Sequence, residues 1–511
     1  MLNCYYKSDN KEVNMNKDLE LVKDFQKRII LLGRSGALLG WDEETNMPKL
    51  GINSRAECVA LISKEVHKLV TDDRFFGAVK RLKNSGKNLT DDDKIMIDIC
   101  YRHLTKSRKI PESYVEDLSR TTTIATAKWR ESREKSDFSI FRPYLEKIIE
   151  LKRKEARLLG YKGHIYNALL DGFEEGMTVE KLKPSFDKLK NDLIYLLKKI
   201  ESSQVYKKQK LVLLKKEFPK EVQMDLVKDV TRRMGLKDDC SRIDFSEHPF
   251  TTKIGYNDIR ITTNIREDPM FSFGSSIHEA GHALYELGMP ENRQYDFLGS
   301  EPSTGLHESQ SRFWENMVGL NKEFWEFYYS IFNKKLKFGG NSKELYKEAN
   351  LVMPGLIRVE ADEVHYCLHV ILRFELEIGL IDGSIKVKDL PKIWNEKMKN
   401  YFGVVPKTDK EGVLQDVHWS NGYIGYFPTY AIGTVYAAQL FKAMEKDINV
   451  KKLIRRGDYT KITNWLKDKI HKQGSRYFAD ILVKKITGKG LDIDAFINYL
   501  NSKYSEIYEF D

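Results

Sequence analysis

Cysteine is scarce. Five residues, Cys4, Cys58, Cys100, Cys240 and Cys367, are scattered over 511 positions with no paired spacing. That pattern excludes a disulfide framework and a cysteine zinc site, and suits reduced, mostly buried thiols. Long apolar runs are also missing, so no segment can cross a bilayer as a helix. The first residues, Met1 to Lys17, are polar and lysine-bearing and lack the apolar core of a signal peptide. They read as a disordered extension over 1–16, with Met15 as an alternative start, and the lack of an export signal points to the cytoplasm. Low-complexity linkers and internal repeats are absent as well, so residues 17–511 read as one large helical domain, either a single unit or two sides flanking a groove, without legible internal boundaries.

Positive charge is in excess, at a formal +10. The lysines are not concentrated, however. In stretches such as Lys181 to Lys220 they alternate with glutamate and aspartate along amphipathic helices. That is the pattern of a solvated helix face rather than of a nucleic-acid-binding module, so neither nucleic acid nor a membrane is expected as partner.

Most of the chain carries apolar residues at helical spacing with few interrupting prolines. Residues 17 to 35, 54 to 70, 92 to 106, 111 to 133, 138 to 160, 178 to 203 and 219 to 234 all show it. The expected class is mainly α. Trp41 to Gly51 reads as an early loop, with Thr45-Asn46-Met47-Pro48 stopping the first helix. Phe250 to Ile265 differs in character. Ile259, Ile261 and Thr263 alternate with Arg260, Thr262 and Asn264, and Gly255 to Asp258 form a turn signal, which predicts a short hairpin. Such a strand can hold a peptide along its edge, or it can be purely structural.

Directly after it stands His278-Glu279-Ala280-Gly281-His282. On a helix, histidines four residues apart share a face, so both imidazoles reach one metal ion. Glu279 between them is placed to act as general base on a water at that ion. Asp268-Pro269 gives a helix start and Gly288-Met289-Pro290 a stop. A competing pattern is Ser276-x-x-Glu279, a capping box, which fails if the helix begins near Asp268.

A catalytic zinc takes three protein ligands and keeps a position for water or substrate. Glu308 is the candidate third ligand, in the first turn of a helix capped by Ser303 or Thr304 and running to about Gly319. His307 is its rival. His365 and His369 form a second four-residue pair, but without a glutamate between them they read as structural or cleft-lining histidines. The segment Gly412 to Tyr430 mixes glycine, aromatic and polar residues like a site loop. His418, Tyr426 and Tyr423 in it are hydrogen-bond donors of the kind that stabilise an oxyanion, the alternative being that this tyrosine-rich stretch serves packing. Arg260 and Arg358 are candidates for a bidentate grip on a terminal carboxylate, each with an alternative as the salt-bridge partner of Asp258 or Asp362.

Taken together these motifs resemble the carboxypeptidase Taq family of metallocarboxypeptidases, from about Asp18 onward. The matching residues are Trp41-Asp42 with Thr45 to Pro48, Asp244 to Phe250 around Ser246-Glu247-His248-Pro249, Asp258-Ile259-Arg260-Ile261-Thr262 and the His278 to His282 motif. They continue with His307-Glu308-Ser309-Gln310, Ile357-Arg358 through Ala361-Asp362, and Gly412 through Gln415-Asp416 to His418-Trp419. The resemblance implies a large helical zinc-peptidase fold with a deep substrate groove and a small β-hairpin or sheet beside the metal helix. It implies a homodimer, one Zn2+ (or Co2+ or another divalent ion) per chain, and removal of single C-terminal residues from short peptides. Broad side-chain tolerance and poor handling of proline go with it. Carried over, His278, His282 and Glu308 hold the metal, Glu279 is the base, and His418 and Tyr426 assist. Arg260, Arg358, Gln415, Asp416 and Tyr423 contact substrate. The rival readings are a dipeptidyl carboxypeptidase or oligoendopeptidase on the same scaffold, and a non-catalytic basic protein with a structural metal.

Overall fold

A computed structural model describes residues 2–85, 89–214, 218–266, 269–337 and 339–510, with the side chains of 2–15 and 85 outside the description. The extension expected over 1–16 lies, but for Asn16, on residues whose side chains are not described. The described chain is predominantly helical with one small sheet, as the spacing of apolar residues predicts. It forms two compact units, each built from three stretches of sequence: Met1–Lys109, Gln223–Pro302 and Asp458–Tyr477 in the first, and Ile110–Val222, Ser303–Gly457 and Phe478–Asp511 in the second.

In the first unit, helix α1 (Leu2–Thr45) runs through Trp41, where the sequence suggests a loop. The Thr45 hydroxyl donates to the Trp41 carbonyl and Asn46 N–H to Asp42 O, so the helical turn persists until Pro48, which has no N–H to continue it. Val22 and Phe25 of α1 pack with Phe75, Val79 and Leu82, and with Met96, Ile97 and Leu104, as a continuous apolar core. Asp73–Ser85 is a helix that the periodicity does not single out.

The sheet has three strands: β1 (Ser241–Phe245), β2 (Thr251–Gly255) and β3 (Asp258–Thr263). The order is β1-β3-β2, with β1 parallel and β2 antiparallel to β3. The hairpin of β2 and β3 turns at Tyr256-Asn257 as its sequence predicts, with Gly255 opposite Asp258. Strand β1 is an addition, too short and polar to show an alternation of its own. Ile259 and Ile261 of β3 are fully buried, and α2 (Pro269–Gly288) packs against them.

In the second unit, α3 (Thr304–Arg312) passes into a wider π-helical turn, Phe313–Gly319, and packs along α5 (Pro428–Asp447). Helix α4 (Glu363–Asp382) is buried along nearly its whole length. Lys503 of the last helix, α6 (Ile493–Tyr508), meets Glu363 of α4 in a buried ion pair of 2.7 Å.

Candidate metal centre

Helix α2 starts at Pro269, where the missing N–H of proline costs nothing. Asp268, its expected cap, lies outside the described residues. Ser276 is therefore deep inside the helix, and its hydroxyl bonds Thr263 Oγ1 of β3 at 3.0 Å, which removes the capping-box alternative. One turn apart, the His278 and His282 rings stand edge to face with centroids 4.9 Å apart. Glu279 is buried. The hydroxyl of Thr251 on β2 lies 2.6 Å from its Oε2 and 2.9 Å from its main-chain oxygen. Two residues further along β2, Lys253 Nζ donates to Glu286 at 2.7 Å.

Ser303 caps α3 by accepting from Leu306 N–H at 3.0 Å, as predicted. Glu308 is the fifth residue of this helix, so it stands in the second turn rather than the first. Its Oε1 accepts from Arg312 Nε at 2.8 Å, and the Arg312 guanidinium lies 3.9 Å over the Tyr366 ring. At the start of α3, Gly305 N–H donates to the carboxyl of Glu174, which complete burial pushes up to about 8. Gly433 of α5 is in contact with the root of the Glu308 side chain. A Cβ there would sit 2.8 Å from Glu308 Cβ and Cγ.

Among the described residues, His278, His282 and Glu308 form a group that could hold a metal ion, each offering one ligand atom. His307, the rival, is not in the group. Two imidazoles and a carboxylate are the donor set of one class of catalytic zinc site, with bonds of about 2.0–2.2 Å, so the residues fit a single divalent ion. His365 and His369 are both buried and otherwise engaged. His365 Nδ1 pairs with Asp362 at 2.6 Å and His369 Nε2 with Gly355 O at 3.1 Å, and both rings pack on Phe402.

The arginines have partners. Arg260 forms two bonds of 2.9 Å with Asp258 and lies 4.3 Å over the Trp41 ring. Arg358 is paired with Asp416, at 2.8 and 3.0 Å, and not with Asp362, which caps α4 instead. Asp416 is shared with Arg373 at 2.7 Å. Burial raises the Asp416 carboxyl, but the two guanidinium groups outweigh it and hold it well below the usual range. Gln415 accepts from Arg358 N–H at 2.9 Å and donates to Leu356 O at 3.0 Å, so its side chain braces this segment.

In the 412–430 loop, burial pushes the His418 imidazole down to about 3 against the pull of Asp416, which leaves it neutral at pH 7. Its Nε2 lies 3.1 Å from the Tyr430 hydroxyl. Tyr426, packed edge-on against Tyr430, is pushed up to about 12 by burial, so it keeps its proton. Tyr423 is about half exposed and stacks on Tyr426. Glu377 of α4 holds this loop at two points. Its carboxylate accepts from Trp419 Nε1 at 2.8 Å and Gly425 N–H at 3.0 Å, as well as from the Tyr166 hydroxyl at 2.6 Å. Gly425 has φ +101°, and a side chain there would strike the Leu169 backbone at 2.8 Å.

Arg312, Tyr430, Thr251, Glu174 and Glu377 are absent from the sequence-derived site. Arg312 and Tyr430 carried a faint signal, each four residues beyond a named site residue. The other three come from distant parts of the chain, and no local pattern marks them.

Comparison with known proteins accords with this geometry. A family model described as carboxypeptidase Taq (M32) metallopeptidase matches residues 21–504. The chain is 38% identical over 500 residues to thermostable carboxypeptidase 1 of Pyrococcus furiosus, covering 96% of this chain and 99% of that one. It is 38% identical over 490 residues to carboxypeptidase 1 of Bacillus subtilis, covering 95% and 97%. The solved M32 carboxypeptidase of Deinococcus radiodurans superposes with a TM-score of 0.93 at 32% identity, covering 96% of this chain and all of that one. This chain belongs to the carboxypeptidase Taq (M32) family of metallopeptidases.

Proposed function

We propose that this chain is a zinc-dependent carboxypeptidase that releases single amino acids from the free C-termini of short peptides, with broad side-chain tolerance and poor handling of proline. The observation that carries the reading is the donor set of His278, His282 and Glu308, a group that could hold a metal ion, with Glu279 between the two histidines one turn apart on α2. Family membership over nearly the whole length supports it. A divalent ion held by these three side chains would make a water more acidic and polarise the scissile carbonyl.

The chain's own groups do the rest. Glu279 accepts a proton from the attacking water and delivers it to the departing amine as the C–N bond breaks. Tyr426 and neutral His418 are donors for the negative charge that develops on the carbonyl oxygen. Arg260 or Arg358 fixes the terminal carboxylate, with Asp416 and Gln415 holding Arg358 in place and Tyr423 lining the approach. Dipeptidyl and endopeptidase readings are disfavoured by the carboxypeptidase names of the relatives.

We further propose a homodimer that works in the cytoplasm. The four cysteines with described side chains are free thiols, which supports a reducing compartment: Cys100 and Cys367 are buried, Cys240 is half-buried and Cys58 exposed. Short peptides rather than nucleic acid are the partners, since lysines such as Lys183 and Lys188 spend their charge on Asp187 and Asp192 one turn away. Mass spectrometry of a short peptide should show a ladder of single-residue losses that stops on chelation and never starts when the C-terminus is amidated. Cleavage of the amidated peptide, or loss of residues in pairs, would refute the reading.

A further inference from the structure

We propose that Thr251 is a positioning residue for the reaction, whose hydroxyl holds the Glu279 carboxyl in one orientation. The inference rests on Glu279 as general base. Its ground is the placement of one hydroxyl oxygen 2.6 Å from Glu279 Oε2 and 2.9 Å from the main-chain oxygen of the same residue. The shorter distance lies within the O–H···O hydrogen-bond range.

The one hydroxyl oxygen is within hydrogen-bond distance of both the carboxyl and the main-chain oxygen of the same residue, so the contact fixes the carboxyl relative to the backbone of its own helix.

The strand sets this contact. Side chains two apart on β2 share a face, and Thr251 and Lys253 both meet α2, at Glu279 and at Glu286 two turns later. Thr251 is paired with Ile261 of β3, and β3 is tied to the same helix through Thr263 and Ser276. The branched Cβ of threonine further restricts its rotamer. The base is thus registered against a sheet rather than held by its own helix alone.

The test is a double-mutant cycle. T251V should lower kcat at least about tenfold, with KM and chelator-measured metal affinity unchanged, and T251S should restore activity to within about threefold. On an E279Q background, T251V should cause no further loss, because the two act as one unit. A crystal structure of T251V should show the Glu279 carboxyl displaced. If T251V does not fold, T251A takes its place in the cycle. T251V within twofold of the parent, or an equal loss on both backgrounds, would overturn the inference while leaving Glu279 as the base. Full activity of E279Q would remove the base itself and this inference with it.

Discussion

At the scale of single residues, the centre combines groups whose surroundings leave them in different charge states. Glu279 is the group whose loss should be felt most sharply. E279Q should bind metal as the parent does and hydrolyse peptides at least about a hundredfold more slowly, as metal analysis and single-turnover rates would show. Glu377 makes a prediction of the opposite kind, about stability. Burial pushes its carboxyl up to about 7 despite three donors. In the folded chain it therefore holds a proton that the unfolded chain has already released above about pH 4.3. The folded state binds more protons, so stability falls as pH rises between those two values and stays lowered above them. E377Q has no such proton to lose. Its Tm relative to the parent should shift upward between pH 5 and pH 8, and a constant difference across that range would refute the assignment.

At the scale of elements, α3 and α5 decide where Glu308 stands. Gly433 permits their close approach, and a methyl group there meets Glu308 at its root. In an isolated helix, Gly to Ala is favourable by about 1 kcal/mol, whereas overpacking costs about 1–3 kcal/mol. G433A should therefore weaken metal affinity about tenfold or more while changing Tm little, as read by chelator competition. Unchanged affinity would mean that α3 yields without moving Glu308.

Elements were also where sequence reading was most uneven. Helices with a long apolar stripe, such as Phe138–Leu159 and Val179–Ser202, lie within about a residue of their expected limits. Strand β1 escaped notice because five residues with Arg242 and Asp244 on one face carry too little periodicity. Trp41 lies in a helix because a helix ends where its hydrogen bonds end, not where Thr and Asn begin. Glu308 stands in the second turn of its helix rather than the expected first, since Ser303 is the cap and Thr304 the first helical residue.

At the scale of the whole molecule, metal binding and folding should be coupled, because an ion that binds only the folded chain stabilises it. At a concentration of about a hundred times Kd the gain is about 2.7 kcal/mol. Removing metal should lower Tm, and E308A should be insensitive to the same chelator. Equal chelator effects on both proteins would place the stabilising ion elsewhere. A second prediction concerns the ion pair of Lys503 and Glu363. Removing one partner of a buried pair typically costs about 3–5 kcal/mol, so K503M should lower Tm far more than removal of exposed pairs such as Lys183 with Asp187.

The division into two units was not legible. Each is assembled from three separated stretches, and the boundary between Val222 and Gln223 falls inside the helix Lys220–Met234, where no change of composition can mark it. By itself the sequence determined what depends on neighbours along the chain: helix periods, the hairpin turn, the spacing of two imidazoles around a carboxylate, and the cap that starts α3. Tertiary structure alone decided that Thr251 meets Glu279, that Asp416 rather than Asp362 takes Arg358, and that Glu377 holds both ends of the loop from Trp419 to Gly425. The physical reason is range. A pattern within one or two helical turns is written in adjacent letters, whereas a buried polar contact between distant segments exists only once packing has removed the water that would otherwise satisfy each group.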